Sequence, residues 1–400
     1  MSEGLLFLCH RIPFPPNKGD KIRSFHILKH LSTNYGIHLA AFVDDPKDSK
    51  YIKDVSEFCN STCIKSLNPL KAKIRSLRGF LSRQPLSVPY YYDAGMDFWI
   101  KKTIEREKIK TVFVFSSSMA QYIVYKSSNE IRKIIDFVDI DSDKWRQYSE
   151  KKTWPMNWVY KYESKELFKY EKKIAHIFDT SFFVTEKESE MFKKLVPDVS
   201  NKILFFNNGV DVDYFSPDHK YQNPYSEDDG VIVFTGAMDY WANVDAVCWF
   251  VNNVFVELLK LIPGLKFYIV GSKPALEVRQ LANISGVIVT GTVEDVRPYI
   301  RFASVTVAPM RIARGVQNKV LEAMAMAKVV ITSAQGYEGI HAQKSEQVFV
   351  VDGAQEWQQK ILKIIGTEEF KHVGQAARQY ILDNYTWENS LSKLDDKLEL

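Results

Sequence analysis

The stretch that decides the fold is Val305–Ile331, VTVAPMRIARGVQNKVLEAMAMAKVVI. It opens with the run VTVAP, which is short, apolar and β-branched and which Pro309 ends, so a strand is predicted. Lys319–Ala325 consists of strong helix formers, and Val329–Ile331 resumes a buried strand. Gly315 lies between strand and helix, where a tight turn can bring the backbone close to a ligand. The stretch therefore predicts strand, loop, helix and strand in succession.

The loop before this helix has the features of an anion-binding site. Backbone N–H groups at a helix N-terminus have no partner within the helix, and the helix dipole favours negative charge there. Lys319 falls in the first turn, from which it can reach a phosphate. Glu322 follows on the same helix face, where a carboxylate can accept hydrogen bonds from two ribose hydroxyls. The alternative is an ordinary βαβ crossover in which both side chains are solvated.

Length and composition indicate a globular protein of two domains. The 400 residues are 46% hydrophobic and 26% charged, and a chain of this length normally divides into two domains. No apolar run approaches the length of a membrane span, and the N-terminus lacks the features of a signal peptide. Cys9, Cys59, Cys63 and Cys248 are not accompanied by a Cys or His pair at zinc spacing. We therefore expect reduced thiols, no metal site and a cytoplasmic location.

The charge is divided unequally along the chain. Residues 1–200 contain 34 Lys and Arg against 25 Asp and Glu, whereas residues 201–400 contain 19 against 24. A basic first half and an acidic second half indicate domains with different partners. The basic residues do not alternate with aromatic residues as in a nucleic-acid-binding module, so nucleic acid is not an expected partner.

Strands alternate with helices in both halves of the chain. Leu5–Cys9 is a buried-strand run, Gly19 is predicted to form a turn, and Asp20 is predicted to cap the helix that follows. This loop lacks G-x-G-x-x-G, so a dinucleotide site is not indicated. Further strands are expected at Ile37–Val43, Thr111–Phe115, Ile134–Val138, Ser181–Thr185, Ile203–Phe206, Val231–Phe234, KFYIVGS, GVIVTGT, VVITS and QVFVVD. The alternation predicts an α/β fold of two Rossmann-like domains with doubly wound parallel sheets, facing a cleft.

Two further stretches carry candidate functional residues. The acidic run DFVDIDSDKW follows the strand Ile134–Val138, and it lacks the glycine and glutamate positions of a Ca²⁺ loop. Asp139 or Asp141 can therefore contact a substrate hydroxyl at the rim of the sheet, or cap the next helix. The other stretch, Pro69–Arg83, has an apolar helical face and five basic residues without a balancing acid. The apolar residues are Leu70, Ile74, Leu77 and Leu81, and the basic residues are Lys71, Lys73, Arg75, Arg78 and Arg83. Such a helix either lies on a membrane surface or packs on the core with its basic face solvated.

Several motifs, in this order and spacing, resemble those of the GT-B glycosyltransferases of the large retaining family with an E-x7-E signature (family 4 type). They are NNGVDVDYFSP (Asn207–Pro217), VFTGAMDYWANVDA, YIVGS, VIVTGTVEDV (Val287–Val296), NKVLEAMAMAKVVIT (Asn318–Thr332), GYEGI (Gly336–Ile340) and NYTW (Asn384–Trp387). In addition, PFPPNKGDKIRSFH and DFVDIDSDKW resemble a bacterial subgroup that is encoded with exopolysaccharide export systems.

The resemblance implies the following organisation and activity. Residues 1–207 form an acceptor-side domain, 208–229 a linker, 230–380 a nucleotide-sugar-binding domain, and 381–400 a helix that packs back on the first domain. The enzyme transfers a sugar from a nucleotide-diphosphate sugar to a saccharide acceptor with retention, without a metal or other cofactor. The acceptor is lipid-linked, and Lys71–Arg83 contacts the inner leaflet of the membrane from the cytoplasmic face.

The resemblance also implies roles for individual residues. Lys319, with Arg311 or Arg314, binds the diphosphate, Glu322 binds the ribose, and Asp139 orients the reacting sugar or the acceptor. Backbone groups contact the donor at Gly315, Val316, Gln317 and Asn318 of the helix loop, at Gly236 of the glycine loop, and at Gly19 of the first domain.

Two of the departures from the family pattern keep other functions open. Arg314 stands where the first signature glutamate is expected, and the usual Arg and Lys after the first strand of the second domain are absent. A sugar-nucleotide 2-epimerase of the same fold and a non-catalytic sugar-nucleotide-binding protein are the alternatives, and Arg314 is the best argument for the second.

Overall fold

The computed structural model describes residues 3–16, 19–124, 130–225, 230–313 and 315–398. The chain divides into two compact units. Unit 1 consists of Met1–Asn207 and Leu391–Leu400, and unit 2 consists of Asn208–Ser390. The segment predicted as a linker, 208–229, therefore groups with unit 2. Of the predicted terminal segment 381–400, the part from Leu391 onward groups with unit 1.

Unit 1 contains a seven-stranded parallel sheet in the order β3-β2-β1-β4-β5-β6-β7. Its strands are β1 (Gly4–Cys9), β2 (Gly36–Val43), β3 (Ser61–Ser66), β4 (Thr111–Phe115), β5 (Arg132–Val138), β6 (Thr180–Phe183) and β7 (Ile203–Phe205). The order reverses beside β1, which pairs with β2 and β4, as in a doubly wound sheet. The strand Ser61–Ser66 was not predicted, because it is a polar edge strand and only Cys63 in it is buried.

Helices cover both faces of this sheet. They are α1 (Gly19–Leu31), α2 (Ile52–Ser56), α3 (Pro69–Ser76), α4 (Arg78–Ser82), α5 (Ser87–Tyr90), α6 (Ala94–Arg106), α7 (Asp141–Lys151), α8 (Met156–Ile177) and α9 (Glu186–Leu195). Three 3₁₀ segments accompany them at Pro46–Tyr51, Ser117–Tyr122 and Pro197–Lys202. The central strands β1 and β4 are buried along nearly their whole length, as expected where both faces are covered.

A buried ion pair joins α1 to the centre of this sheet. Arg23 Nε lies 2.6 Å from Asp136 Oδ2, and neither side chain is exposed. Arg23 also donates to the Phe206 carbonyl oxygen at 3.0 Å and lies over the Phe206 ring. Burial raises the pKa of Asp136, while the charge of Arg23 opposes this. A shift of α1 would separate this pair and leave two uncompensated charges in the core, which is strongly unfavourable. The pair therefore fixes the position of α1 on the sheet.

Unit 2 contains a six-stranded parallel sheet in the order β10-β9-β8-β11-β12-β13. Its strands are β8 (Val231–Thr235), β9 (Lys266–Val270), β10 (Val287–Gly291), β11 (Val305–Ala308), β12 (Val330–Thr332) and β13 (Phe349–Val350). Its helices are α10 (Trp241–Phe250), α11 (Val256–Leu261), α12 (Leu276–Leu281), α13 (Arg297–Phe302), α14 (Asn318–Ala325), α15 (Ala354–Ile364) and α16 (Lys371–Asn384), with a π-helical turn at Val251–Phe255. Helix α17 (Trp387–Leu398) starts in unit 2 and ends in unit 1. The predicted α/β fold with two doubly wound parallel sheets is confirmed.

The stretch Val305–Ile331 forms β11, α14 and β12 as predicted. Helix α14 is almost entirely buried along the face formed by Val320, Leu321 and Met324. Its carboxyl end meets α16, where Gly374 has no side chain. A Cβ at Gly374 would lie 2.2 Å from the Ala327 carbonyl oxygen. This close backbone approach fixes where α14 ends, and therefore where its N-terminus lies.

We expect Gly374→Ala to destabilise unit 2 by about 1–3 kcal/mol, because the new methyl group overlaps a backbone oxygen that cannot move away. Glycine to alanine in a helix normally stabilises by roughly 1 kcal/mol, so the sign of the change is informative. Urea unfolding measures it. The control is Gly19→Ala at the start of α1, where no atom lies within 4 Å of the Cβ position. Equal stability of the two variants would contradict the close approach of Gly374 to the Ala327 carbonyl oxygen.

Candidate functional site

Lys319, the second residue of α14, turns its side chain back to the carboxyl end of β8. Its ammonium donates a hydrogen bond to Asn243 Oδ1 and lies 4.4 Å from the centroid of the Phe234 ring. The Asn243 amide in turn donates to the Ala237 carbonyl oxygen at 2.9 Å. The loop after β8 contains no Lys or Arg, and the fold supplies a cation from α14. Asn243 is a site residue that sequence reasoning missed, because an asparagine near the start of a helix, here α10, is an ordinary feature of a sequence.

Three adjacent strands of this sheet have a glycine at their carboxyl ends. Gly236 follows β8, Gly271 follows β9, and Gly291 ends β10. A Cβ at Gly236 would lie 3.3 Å from Lys319 Nζ and 2.7 Å from Asn243 Nδ2. A Cβ at Gly271 would lie 1.6 Å from the Gly236 carbonyl oxygen, so glycine there allows the two backbones to approach closely. The absence of a side chain at Gly236 leaves the space that the Lys319 side chain enters.

The N-terminus of α14 is open to an anion. Gln317 is the N-cap residue, and its side chain makes no capping hydrogen bond. Its amide instead donates to the Gly315 carbonyl oxygen at 3.0 Å. The first turn, which begins at Asn318, contains no acidic residue. The backbone N–H groups of this turn and the Lys319 ammonium therefore present positive charge on the same turn.

The loop before α14 is held by backbone conformation and packing. Gly315 has φ 63°, in the left-handed region that glycine adopts readily. Val316 is half-buried against the core of unit 2, and its Cγ2 lies 3.0 Å from the Cβ position at Gly339. The predicted donor-contacting residues Gly315, Val316, Gln317 and Asn318 thus form a fixed turn into the helix.

Burial shifts the pKa values of Lys319 and Glu322 toward neutrality. It lowers the pKa of Lys319 to about 7, and the charge of Glu322 opposes this. It raises the pKa of Glu322 to about 7, and the charge of Lys319 opposes this. Among the described residues, the Glu322 carboxylate interacts with Lys319 through charge and accepts no hydrogen bond. Its carboxylate oxygens can therefore accept hydrogen bonds from a ligand.

The two predicted phosphate-binding arginines are Arg311 and Arg314, and the structure shows no contact between Arg311 and Lys319. Arg311 follows β11 and is exposed, and its guanidinium forms a two-point ion pair with Asp245 of α10. An exposed pair of this kind is worth about 0–1 kcal/mol, so a phosphate can compete for Arg311. Arg314, at the position of the first signature glutamate, lies outside the described residues.

Tyr214 of unit 2 interacts with Glu322 through charge. It is a residue that sequence reasoning did not identify. The Arg297 guanidinium lies 3.7 Å from the centroid of the Tyr214 ring and donates to the Tyr214 carbonyl oxygen at 3.1 Å. Burial raises the pKa of Tyr214, and the Glu322 carboxylate contributes to this shift. The NNGVDVDYFSP segment therefore reaches the electrostatic environment of α14.

In unit 1, ionisable side chains gather where the strands end. His10 and Arg11 follow β1, and Asp44 follows β2. Arg11 contacts Asp20 at 2.8 Å and Asp44 at 2.7 Å. His10 Nε2 lies 3.5 Å from Asp20 Oδ2, and its ring stacks on Phe115. Burial would raise the pKa of Asp20, but His10 and Arg11 outweigh burial and lower it. Sequence reasoning missed His10 and Arg11, although their position directly after the first strand could have identified them.

Asp139 and Asp141 follow β5 at the same edge of the sheet. Lys144 Nζ lies 2.5 Å from Asp139 Oδ2 and 3.4 Å from Asp141 Oδ1. Helix α7 begins at Asp141, but its N-cap residue is Ile140 and no side chain caps it. The prediction that one of these aspartates caps the helix is therefore wrong, because Lys144 holds both carboxylates.

Gly19 and Asp20 lie within α1, so the predicted turn and cap at these two residues are wrong. Asp20 lies within the first turn of α1 and pairs with Arg11, so it is not the residue before the helix. At Gly19, no atom lies within 4 Å of the Cβ position. Unit 1 by itself therefore gives no steric reason for glycine at this position.

The segment Pro69–Arg83 forms two helices, α3 and α4, and its apolar face is exposed. The core-packed alternative is wrong for this face, because Ala72 and Gly79 are the residues that are buried. Arg75 points into unit 1, where its guanidinium donates to the carbonyl oxygens of Pro89 and Tyr90. Four of the five predicted cations, those other than Arg75, are exposed. None of the helices in the described ranges has the length and hydropathy of a membrane span.

Comparison with protein families identifies the domain that contains the α14 site. Residues 229–367 match the family model described as "Glycosyl transferases group 1". This match includes Gly236, Asn243, Lys319 and Glu322. No curated protein matches the chain.

Solved structures of the same fold cover the whole chain. Sucrose-phosphate synthase from Thermosynechococcus elongatus is 16% identical with a TM-score of 0.72, and the match covers 99% of this chain and 98% of that one. Alr3699/HepE from Anabaena, in complex with UDP, is 11% identical with a TM-score of 0.67 and full coverage of both chains (100% and 100%); it has also been solved in complex with UDP-glucose. WaaG, a glycosyltransferase involved in lipopolysaccharide biosynthesis, is 14% identical with a TM-score of 0.65 and 98% coverage of each chain.

These likenesses establish the fold, and the family match covers residues 229–367. The predicted GT-B fold is confirmed by the two parallel sheets and by the structural neighbours. The chain therefore has the GT-B fold, and the part of it that contains α14 is similar to the glycosyl transferases group 1 family.

Proposed function

We propose that this protein transfers a sugar from a nucleotide-diphosphate sugar to a saccharide acceptor, with retention of the anomeric configuration. The observation that carries the proposal is the Lys319 ammonium at the open N-terminus of α14, with the Glu322 carboxylate one turn further along. The group 1 domain supports a transferase. The complexes of HepE with UDP and UDP-glucose support a nucleotide-sugar donor.

In this mechanism, the main demand on the protein is to stabilise the departing diphosphate. Negative charge grows on the leaving oxygen while the sugar ring becomes positive, so donors that already point at the diphosphate lower the barrier. Lys319 and the backbone N–H groups of α14 supply these donors from a site with little water. Arg311, after leaving Asp245, or Arg314 adds a second cation from the same loop. The Glu322 carboxylate accepts hydrogen bonds from the two ribose hydroxyls and so fixes the position of the nucleotide.

The acceptor side of the proposal lies in unit 1. Asp139, at the carboxyl end of β5, orients the acceptor or the reacting sugar, and Gly19 lets its loop approach the donor. The resemblance to an exopolysaccharide-associated subgroup suggests a hexose donor, a lipid-linked acceptor and a place in exopolysaccharide biosynthesis at the cytoplasmic face of a bacterial membrane. The exposed basic and apolar residues of α3 and α4 support contact with that membrane.

A panel of UDP-, GDP-, ADP- and CMP-sugars in a thermal-shift assay tests the donor, and nucleotide release with and without a lipid-linked saccharide tests the reaction. A transferase releases nucleotide mainly when the acceptor is present. A sugar-nucleotide epimerase would convert the sugar without an acceptor, and a sugar-nucleotide-binding protein would be stabilised by the ligand but release no product.

We expect Lys319→Ala to reduce transfer by about 10²–10³-fold, because a charged donor to the leaving diphosphate is lost. Steady-state nucleotide release measures this effect. The matched control is Lys328→Ala near the other end of α14, where burial also lowers the pKa of the lysine, to about 8. The control should retain transfer. Wild-type turnover in Lys319→Ala, with folding intact by circular dichroism, would remove this residue from the mechanism.

Donor binding should weaken as the pH rises above 7. The free Lys319 ammonium has a pKa of about 7, and a bound diphosphate favours its charged form and so raises that pKa. Binding above pH 7 therefore takes up a proton, and affinity falls by up to about tenfold per pH unit. Calorimetry with UDP-glucose, whose diphosphate does not titrate near pH 7, in buffers of different ionisation enthalpy measures the proton uptake. In Lys319→Ala the fall in affinity above pH 7 should become smaller, and the pH dependence that remains belongs to Glu322, whose pKa burial raises to about 7. A pH-independent affinity in the wild type would contradict the prediction.

Replacing Lys71, Lys73, Arg78 and Arg83 by Gln should weaken binding to anionic vesicles by about 10²-fold or more, because each cation near the surface contributes roughly 1 kcal/mol. Arg75 is kept, since it holds α5. Co-sedimentation with vesicles of phosphatidylcholine and phosphatidylglycerol at low salt gives the measurement. The control replaces four exposed lysines of unit 2, Lys260, Lys273, Lys363 and Lys371. Equal loss in both variants would show a non-specific charge effect.

A further inference from the structure

Unit 1 exposes large apolar side chains both within Pro69–Arg83 and beyond it. Leu81, within this segment, is 90% exposed, and beyond it Trp154 is 80% exposed and Trp158 is 56% exposed. Trp154 lies in the connection between α7 and α8, and Trp158 lies in the first turn of α8. Single exposed apolar residues are ordinary, but a group of this size marks an interaction surface.

Aromatic contacts join the start of α8 to α4. The Phe80 ring stacks on Trp158 with centroids 5.4 Å apart and an angle of 14°. Phe80 also contacts Tyr162, with centroids 4.6 Å apart, and the Tyr162 hydroxyl donates to the Gly79 carbonyl oxygen at 2.7 Å. Leu81 and Trp158 therefore lie on helices that are fixed to each other, and Trp154 lies two residues before α8. We call these exposed residues the apolar surface: Leu77, Leu81, Trp154, Met156 and Trp158.

The exposed charges on the two segments that form the apolar surface are positive. Residues 69–92 and 151–162 contain no Asp or Glu. Among the described side chains of these segments, the exposed basic residues are Lys71, Lys73, Arg78, Arg83, Lys152 and Lys161. Glu163, the next residue of α8, is buried and accepts hydrogen bonds from the backbone N–H groups of Leu86 and Ser87. Exposed cations in excess attract an anionic surface, and the apolar side chains between them then lie against it.

The side-chain types favour a lipid surface as the occupant. Tryptophan has an apolar body and a polar N–H group, and it concentrates at the headgroup level of membranes. Lysine and arginine lay their apolar stems on the acyl boundary while the charges stay at the headgroups. Apolar side chains with unpaired cations around them are the pattern of elements that lie on an anionic bilayer.

We propose that Trp154 and Trp158 insert into the headgroup region of an anionic bilayer as a second membrane contact, next to α3 and α4. The basic residues bring unit 1 to the surface, and the tryptophans hold it there by burial of apolar area. The inference extends the proposed membrane contact of Pro69–Arg83, but it concerns different residues and a different force. It is therefore tested separately from sugar transfer and from the charge of α3 and α4.

The test measures vesicle binding of Trp154→Ala at high salt, where charge attraction is screened. In vesicles of phosphatidylcholine and phosphatidylglycerol at 0.5 M salt, we expect about tenfold weaker partitioning than in the wild type, because one large apolar side chain no longer enters the bilayer. Trp241→Ala in unit 2 removes a partly exposed tryptophan outside this surface and should bind as the wild type does. Trp158→Ala should reproduce the loss, and circular dichroism checks its folding, since Trp158 stacks on Phe80.

Fluorescence provides a second readout that does not depend on folding of a variant. Brominated lipids should quench part of the wild-type tryptophan emission, and Trp154→Ala should show less quenching. Unchanged partitioning and quenching in Trp154→Ala would overturn the proposal. Self-association of the wild type that Trp154→Ala abolishes without lipid would also overturn it, by showing a protein interface. In either case, nucleotide binding and the effect of Lys319→Ala would be unaffected, so the proposed function would still be judged on its own.

Discussion

The candidate site depends on a lysine whose position is electrostatically unfavourable until an anion arrives. The Lys319 ammonium is partly withdrawn from water, lies on the same turn as the positive end of α14, and is held by the neutral oxygen of Asn243. Burial lowers the pKa of Lys319, and the charge of Glu322 opposes this shift only in part. The fold therefore maintains a site whose electrostatic energy improves when a negatively charged ligand binds.

Both units contain a parallel sheet, and the residues at the carboxyl ends of the strands differ between the two sheets. Successive strands end at one edge of a sheet, and the loops that follow them bring together residues distant in the sequence. In unit 2 this edge carries glycines at Gly236, Gly271 and Gly291, and the one at Gly236 leaves room for the Lys319 side chain. In unit 1 it carries ion pairs, in which Arg11 contacts Asp20 and Asp44, and Lys144 contacts Asp139. One edge therefore holds a buried cation, whereas the other holds charged groups that are paired with each other.

Sequence reasoning was most accurate where a pattern is local. The predicted helix and the strands on either side of it in Val305–Ile331 were confirmed, since β-branched runs and helix formers act over a few residues. It failed where a side chain acts at a distance. The capping role given to Asp139 or Asp141 did not allow for Lys144, and the strand Ser61–Ser66 is polar because it forms the edge of the sheet. The sequence also contained all five cations of Pro69–Arg83, but it could not show that Arg75 alone turns inward.

The sequence by itself determined the alternation of strands and helices, and with it the two doubly wound sheets and the position of Lys319 and Glu322 on one helix face. Hydrophobic periodicity and helix geometry suffice for these features because they depend only on near neighbours. The tertiary structure decided that Lys319 fills the place after β8 where the sequence has no cation, and that Asn243 and Phe234 receive it. It also decided which apolar residues stay exposed. These outcomes depend on contacts between segments that are far apart in the chain, and no local pattern contains that information.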